Sequence, residues 1–195
     1  MCDLIFYIVK LRFVLLYLIF TILFACGSSK KEFSPEEIKK EEELREMVRA
    51  KLFKFDAKFA YPMQSNDVIR ATNALMKGTQ NLGGQINLSS NGDFLILDGD
   101  TAKGSLSFFG EMRNVGFSDI SDNGINFSGL YTDFSIEEKK DGDKIIIQFD
   151  ANSTVEQFRI RMVVFTNYKS NMIVYGSNRT AIRYTEEILP LDKDN

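Results

Sequence analysis

Hydrophobic positions fall into three regimes along the chain. The first is an unbroken apolar run from Phe13 to Ala25, preceded by Lys10 and Arg12. The second, residues 34–52, is dense in Glu and Lys, with Ile38, Leu44, Met47, Val48 and Leu52 as a narrow apolar stripe at helical spacing. In the third the period becomes two: Phe53, Phe55, Ala57 and Phe59 alternate with Lys54, Asp56 and Lys58, as in a half-buried strand that Tyr61-Pro62 ends.

The charged stretch has a well-marked helix start. Ser34 is placed as the N-cap, Pro35 suits the first helical position, and Glu37 completes a capping box. Phe33 and Ile38 could form a hydrophobic staple, and Glu36/Lys40 and Glu41/Arg45 are favourable i,i+4 pairs, so the spacing predicts a spacer helix from Pro35 to about Lys51. Asp67 to Lys77 has the pattern of a second short helix. Beyond Gly84, short β-patterned segments alternate with turn signals: Gln85–Ser89, Phe94–Leu97, Lys103–Phe109, Ile125–Ser128, Tyr131–Lys139, Lys144–Asp150, Phe158–Thr166, Asn171–Tyr175 and Thr180–Thr185. Asn91-Gly92, Asp98-Gly99-Asp100 and Asp141-Gly142 supply turns. The predicted fold is mainly β: an antiparallel sandwich or lipocalin-like barrel of about 8–10 strands, preceded by an N-terminal signal helix and the charged spacer helix.

Thirteen apolar residues from Phe13 make a helix of about 20 Å, short of the ~30 Å hydrocarbon core of a bilayer. The run fits a secretory signal better than a permanent anchor. It ends in Leu23-Phe24-Ala25-Cys26, which reads as a lipobox, although Phe24 is bulky for its position. Gly27-Ser28-Ser29 follows as a small polar spacer. The expected organisation is a signal peptide over 1–25, a lipid-anchored leader and spacer helix over 26–51, a β domain over 52–188 and a tail over 189–195. Cys26 is the expected lipid attachment, and several acyl chains there suffice for stable anchoring. Gly27 in place of an Asp favours the outer membrane, with the periplasmic face as the expected location.

Composition removes several chemistries. The apolar fraction of 44% and aromatic fraction of 12% are ample for a packed core. There is no histidine, and the two cysteines are Cys2, within the signal, and Cys26. A Cys/His zinc site, a Ser-His-Asp triad and a thiol nucleophile are therefore excluded from the processed domain. The net charge of −3, without a strong basic cluster, argues against nucleic-acid binding. Asp119 to Gly124 resembles the start of an EF-hand loop, but the twelfth position is Leu130 instead of Glu. Glu111, Glu137, Glu156 and Asp133 lie within or beside strands, where alternation points most of them to solvent. No pair is marked as a carboxylate acid/base couple. The expected catalytic, cofactor and metal residues are none. Phe108, Phe109, Phe117, Phe127, Tyr131 and Phe134 crowd one stretch, and in a small barrel could line an apolar cavity.

Residues 52–185 resemble the bacterial lipoprotein family called domain of unknown function 4251. The likeness rests on the Phe-x-Phe strand before Tyr61-Pro62; on Gly99-Asp100 leading to Leu106-Ser107-Phe108-Phe109-Gly110; on Gly124-Ile125-Asn126-Phe127 before Tyr131 to Glu138; and on Ile173-Val174-Tyr175 with Arg179. It implies an exported, mostly β lipoprotein and no particular activity. Asp100-Thr101-Ala102 matches the three-residue pattern of O-glycosylation on exported proteins of bacteria with this family, so Thr101 is a candidate acceptor. The resulting expectation is a non-enzymatic, lipid-anchored envelope protein that binds or scaffolds an envelope partner. The alternative is a lipocalin-like carrier of a small apolar ligand, and a carboxylate-dependent hydrolase comes third.

Overall fold

The structure, a computed structural model, describes Arg12, residues 34–63, Arg70, Asn73, Ala74, and residues 84–113, 124–139 and 143–191. Residues 1–36 and 37–195 form two compact units. Of the first unit, Arg12 is helical and exposed, and residues 34–36 open a helix. The apolar run, Cys2 and Cys26 lie outside the described residues, as do most of the predicted helix Asp67 to Lys77, the loop Asp119 to Asn123 with Phe117, and the turn Asp141-Gly142. Among the described residues no helix is long and apolar enough to cross a membrane.

Helix α1 spans Pro35–Ala50, starting immediately after Ser34 as its capping pattern predicts. Its interior is held by Glu41–Arg45 at 2.6 Å and Lys39–Glu43 at 3.7 Å, both i,i+4. Leu44 and Val48 form its buried contact; Ile38 is exposed. Lys51 ends the helix in the left-handed region (φ 58°), where its N–H bonds to the Val48 carbonyl.

Eleven strands follow among the described residues: β1 Leu52–Asp56, β2 Phe59–Pro62, β3 Ile86–Asn87, β4 Phe94–Asp98, β5 Thr101–Leu106, β6 Ile125–Leu130, β7 Thr132–Glu138, β8 Lys144–Asn152, β9 Gln157–Phe165, β10 Lys169–Gly176 and β11 Ile182–Pro190. They form one antiparallel sheet in the order β6-β5-β4-β1-β11-β10-β9-β8-β7, with β2 paired to both β11 and β3. A single continuous sheet makes this a barrel-like fold and not a sandwich. Alternation puts Phe53, Phe55, Leu95, Leu97, Phe149, Ile160, Met162, Met172 and Tyr184 inside, each fully buried in one apolar cluster. Each large side chain so buried contributes roughly 1.5–3 kcal/mol.

Two long-range devices curl the sheet. The first strand meets the last: β11 pairs β2 through Ile182–Thr185 and β1 through Ile188–Pro190. Between β1 and β2, Ala57 and Lys58 turn the chain, donating to the Asp93 and Thr185 carbonyls at 2.9 and 3.2 Å. The predicted single strand Phe53 to Phe59 is thus two strands. Secondly, β6 and β7 are separated by Tyr131 alone, yet stand at opposite ends of the strand order. They behave as one bent strand whose first half pairs β5 and second half pairs β8, which brings the sheet close to closure. Gly129 (φ 148°), Asp133 (φ 53°) and a register shift between Thr132 and Ser135 make the bend. Tyr131 fixes it, donating its hydroxyl to the Gly99 carbonyl at 2.6 Å while its ring packs on Phe134 and Phe149.

Helix α1 covers one end of the barrel. Arg45 and Arg49 reach Glu138 at the end of β7, at 2.6 and 2.8 Å, and the Tyr168 hydroxyl donates to the Lys40 carbonyl at 3.1 Å. β11 continues through Pro190, two residues into the expected tail, because Leu189 and Pro190 lie opposite Lys54 and Phe53.

Candidate functional site

The end opposite α1 carries a groove. It consists of two hollows, of about 660 and 490 Å³, that meet at Ser105, Gly124 and Asn126. One wall is β5 and β6; the other is the turn Ser153–Glu156 between β8 and β9. Ser153 stiffens that turn, its Oγ accepting from the N–H groups of Val155 and Glu156 at 3.3 and 3.0 Å and donating to the Glu156 carbonyl at 3.1 Å. The turn holds Val155 exposed at the groove's rim.

The floor of the larger hollow is aromatic. Phe127 and Phe158 meet across the gap between β6 and β9 with centroids 5.7 Å apart. Gly104 makes this approach feasible: a Cβ there would stand 2.5 Å from the Phe127 ring. Beneath the rings lies an ion pair that the barrel buries almost completely. Arg179 donates from Nε to Glu156 Oε2 at 2.8 Å, with Nη2 2.6 Å from the same oxygen, and from Nη1 to the Gly124 carbonyl at 3.1 Å. The Asn178 N–H satisfies Glu156 Oε1 at 3.0 Å. The guanidinium carbon lies 4.7 Å from the Phe108 ring centroid and 5.5 Å from that of Phe158. Gly176 is required nearby, since any Cβ would collide with the Glu156 carboxylate and the Arg179 stem.

The smaller hollow is built around Asp93, which is 4% exposed. Its carboxylate accepts from the Ser107 N–H and, at 3.1 Å, from the Ser107 hydroxyl. This capture takes Ser107 off the β5 ladder, so the predicted strand Lys103 to Phe109 stops at Leu106. The Tyr184 hydroxyl donates to the Ser107 carbonyl at 2.8 Å from inside the barrel. Burial pushes the Tyr184 phenol well above its ordinary pKa, with the nearby Asp93 charge adding to the shift, so it stays a neutral donor. Phe108 and Phe109 complete the hollow.

Of the aromatic stretch, Phe108, Phe109 and Phe127 line the groove, whereas Tyr131 and Phe134 pack toward α1 against Lys51 and Phe149. Of the four acidic candidates, Glu156 is buried beneath the groove instead of facing solvent, because it sits in a turn where alternation has no meaning and Arg179 compensates its charge. Glu111, Asp133 and Glu137 are exposed. Thr101 opens β5, exposed, with its hydroxyl donating to the Asp98 carbonyl at 3.0 Å. Among the described residues, no three acidic side chains cluster closely enough to hold a metal ion. Asp93 went unmarked in the sequence, although its place right after the turn Asn91-Gly92 and before a strand is where a side chain can cap a ladder.

The family model for a domain of unknown function, DUF4251, matches residues 36–188, and the chain belongs to that family. The matched span includes α1 as well as the barrel. Among solved structures, the chain is similar to a DUF4251 family protein from Bacteroides eggerthii DSM 20697. The TM-score is 0.55 at 13% identity, over 78% of this chain and 88% of that one, a likeness of fold alone. No curated protein matches.

Proposed function

We propose that this member of the DUF4251 family is a non-enzymatic binding module of the bacterial envelope. Acyl chains on Cys26 tether it to the outer membrane, at the periplasmic face, and the groove opposite α1 recognises its ligand. The observation that carries the reading is the groove's construction. Exposed Asn, Ser and Thr side chains stand over an aromatic floor that a buried, hydrogen-bonded ion pair holds in place. Polar groups on a pre-ordered framework bind without the entropic cost of ordering them. The described interior of the barrel is one cluster of buried apolar side chains, which supports placing the ligand at its end and not inside it. A chain without histidine, whose two cysteines are assigned to the signal and the anchor, favours binding over catalysis.

The binding half is tested by in-cell photo-crosslinking of the full chain, with benzoylphenylalanine at Val155 on the groove's rim or at Lys169 on the far end. A recurrent adduct from position 155 and none from 169 is the expected result. Equal labelling from both positions, or none from either, refutes recognition at the groove. For the tether, Cys26→Ala is expected to abolish lipid labelling and leave the precursor unprocessed; normal processing refutes it.

A further inference from the structure

We infer that the Asp93 hollow is a subsite for an organic cation, an ammonium or guanidinium group. The inference rests on the groove reading above and names part of what the groove binds. A carboxylate taken out of water is costly unless a positive charge or a full set of donors compensates it. The other two buried carboxylates at the same end of the barrel are compensated so: Glu156 by Arg179 and Asp150 by Arg159 at 2.8 Å. Asp93 is buried to the same degree and has no cation within ion-pairing distance among the described residues. Its neighbours are neutral donors, the N–H and hydroxyl of Ser107. A carboxylate offers about four acceptor positions, and two of these have no donor among the described residues.

What surrounds those positions suits a cation. The hollow's lining holds no lysine or arginine. The side chains of Phe108, Phe109, Asn91 and Asn126 line it. Arg179 is bound to Glu156 and to the Gly124 carbonyl, and no ion pair joins it to Asp93 among the described residues. A carboxylate beside aromatic rings and amide side chains is a combination that recognises an alkylammonium or guanidinium head. The cation can come from a small amine or from a basic side chain of a peptide.

The test is calorimetric titration of the detergent-solubilised full chain with n-butylammonium and with 1-butanol, its neutral counterpart, alongside amide shift mapping. Butylammonium is expected to bind at least ten-fold more tightly than butanol, and the shifts to centre on Asp93, Ser107 and Phe109. Asp93→Asn keeps an oxygen for the Ser107 N–H and is expected to bring the two affinities within about two-fold. An acetyl-Gly-Lys-Gly-amide arm separates the sources: ten-fold tighter binding than butylammonium assigns the cation to a peptide, and equal binding assigns it to a small amine. Equal affinity of wild type for butylammonium and butanol, or shifts centred elsewhere, overturns the inference even if Asp93→Asn does not fold. Either result leaves the crosslinking test at Val155 untouched, so the two readings fail separately.

Discussion

Arg179 and Glu156 hold each other in a place neither could occupy alone. Each is about 95% buried, and the guanidinium donates to the carboxylate and to the Gly124 carbonyl. Removing one partner strands the other charge. Glu156→Gln or Arg179→Met is therefore expected to lower stability by about 3–5 kcal/mol, and the double variant to lose clearly less than the sum. Urea denaturation of the four proteins checks this; additive losses would show that the two side chains act independently. Tyr184 poses a different residue-scale question. Folding favours its protonated form, so between its unfolded and folded pKa values the native state binds more protons than the unfolded one. Its contribution is complete below about pH 10, the ordinary tyrosine value, and is lost as pH rises beyond it. Lys51 and Lys58 are also shifted upward, chiefly by the neighbouring Tyr131 and Asp56 respectively, and add alkaline losses of the same sign. Tyr184→Phe is expected to cost about 1 kcal/mol at pH 7, the worth of its bond to Ser107, and to flatten the fall in urea midpoint from pH 9 to 11. An unchanged alkaline slope would exclude Tyr184 as its source.

At the scale of elements, what the sequence made legible is what depends on neighbouring residues. The cap at Ser34 and the stripe Leu44, Val48 announce α1, and β4, β8 and β9 follow their alternation and turn signals closely. Partner exchange is not legible in this way. Phe53 to Phe59 alternates without interruption through Ala57, yet the chain there moves from one half of β11 to the other. In β11 the acidic pair Glu186-Glu187 breaks the apolar rhythm just where the strand changes partner from β2 to β1, so its continuation to Pro190 was hidden. The groove was half legible for the same reason: its aromatics stand out as a cluster, but Asp93, Glu156 and Arg179 meet only through the fold. Helix α1 gives a direct test at this scale. Leu44 is fully buried against the barrel end near Ile145 and Val164, so Leu44→Ala is expected to cost about 2–5 kcal/mol. Tyr168→Phe removes one exposed hydrogen bond and is expected to cost under about 1 kcal/mol. Thermal unfolding distinguishes them; equal losses would mean that the hydroxyl to Lys40, not the apolar contact, seats the helix.

For the whole molecule, closure joins the first strand to the last. Pairing β1 with β11 brings together residues more than 130 positions apart, as in Phe55 opposite Ile188. Such contacts make folding slow, because loop entropy is spent before they form. They also leave β1 dependent on the final residues of the chain. A chain ending at Glu186 loses Ile188, which is fully buried, together with the ladder to Phe53, Lys54 and Phe55 and the bond from the Ile188 N–H to the Tyr168 carbonyl. Burial of Ile188 contributes roughly 1.5–3 kcal/mol and each lost backbone bond roughly 0.5–1.5. The sum takes a large share of the 5–15 kcal/mol that typically holds a domain together. It also exposes one edge of β1, which invites pairing between chains. The expected outcome is a low urea midpoint and concentration-dependent association in sedimentation velocity. A chain ending at Leu191 keeps every one of these contacts and is expected to stay within about 0.5 kcal/mol of the full chain. If the chain ending at Glu186 were as stable and as monomeric as the one ending at Leu191, the barrel would be held by β2 and β4 alone, and the pairing of first strand with last would be incidental to its stability.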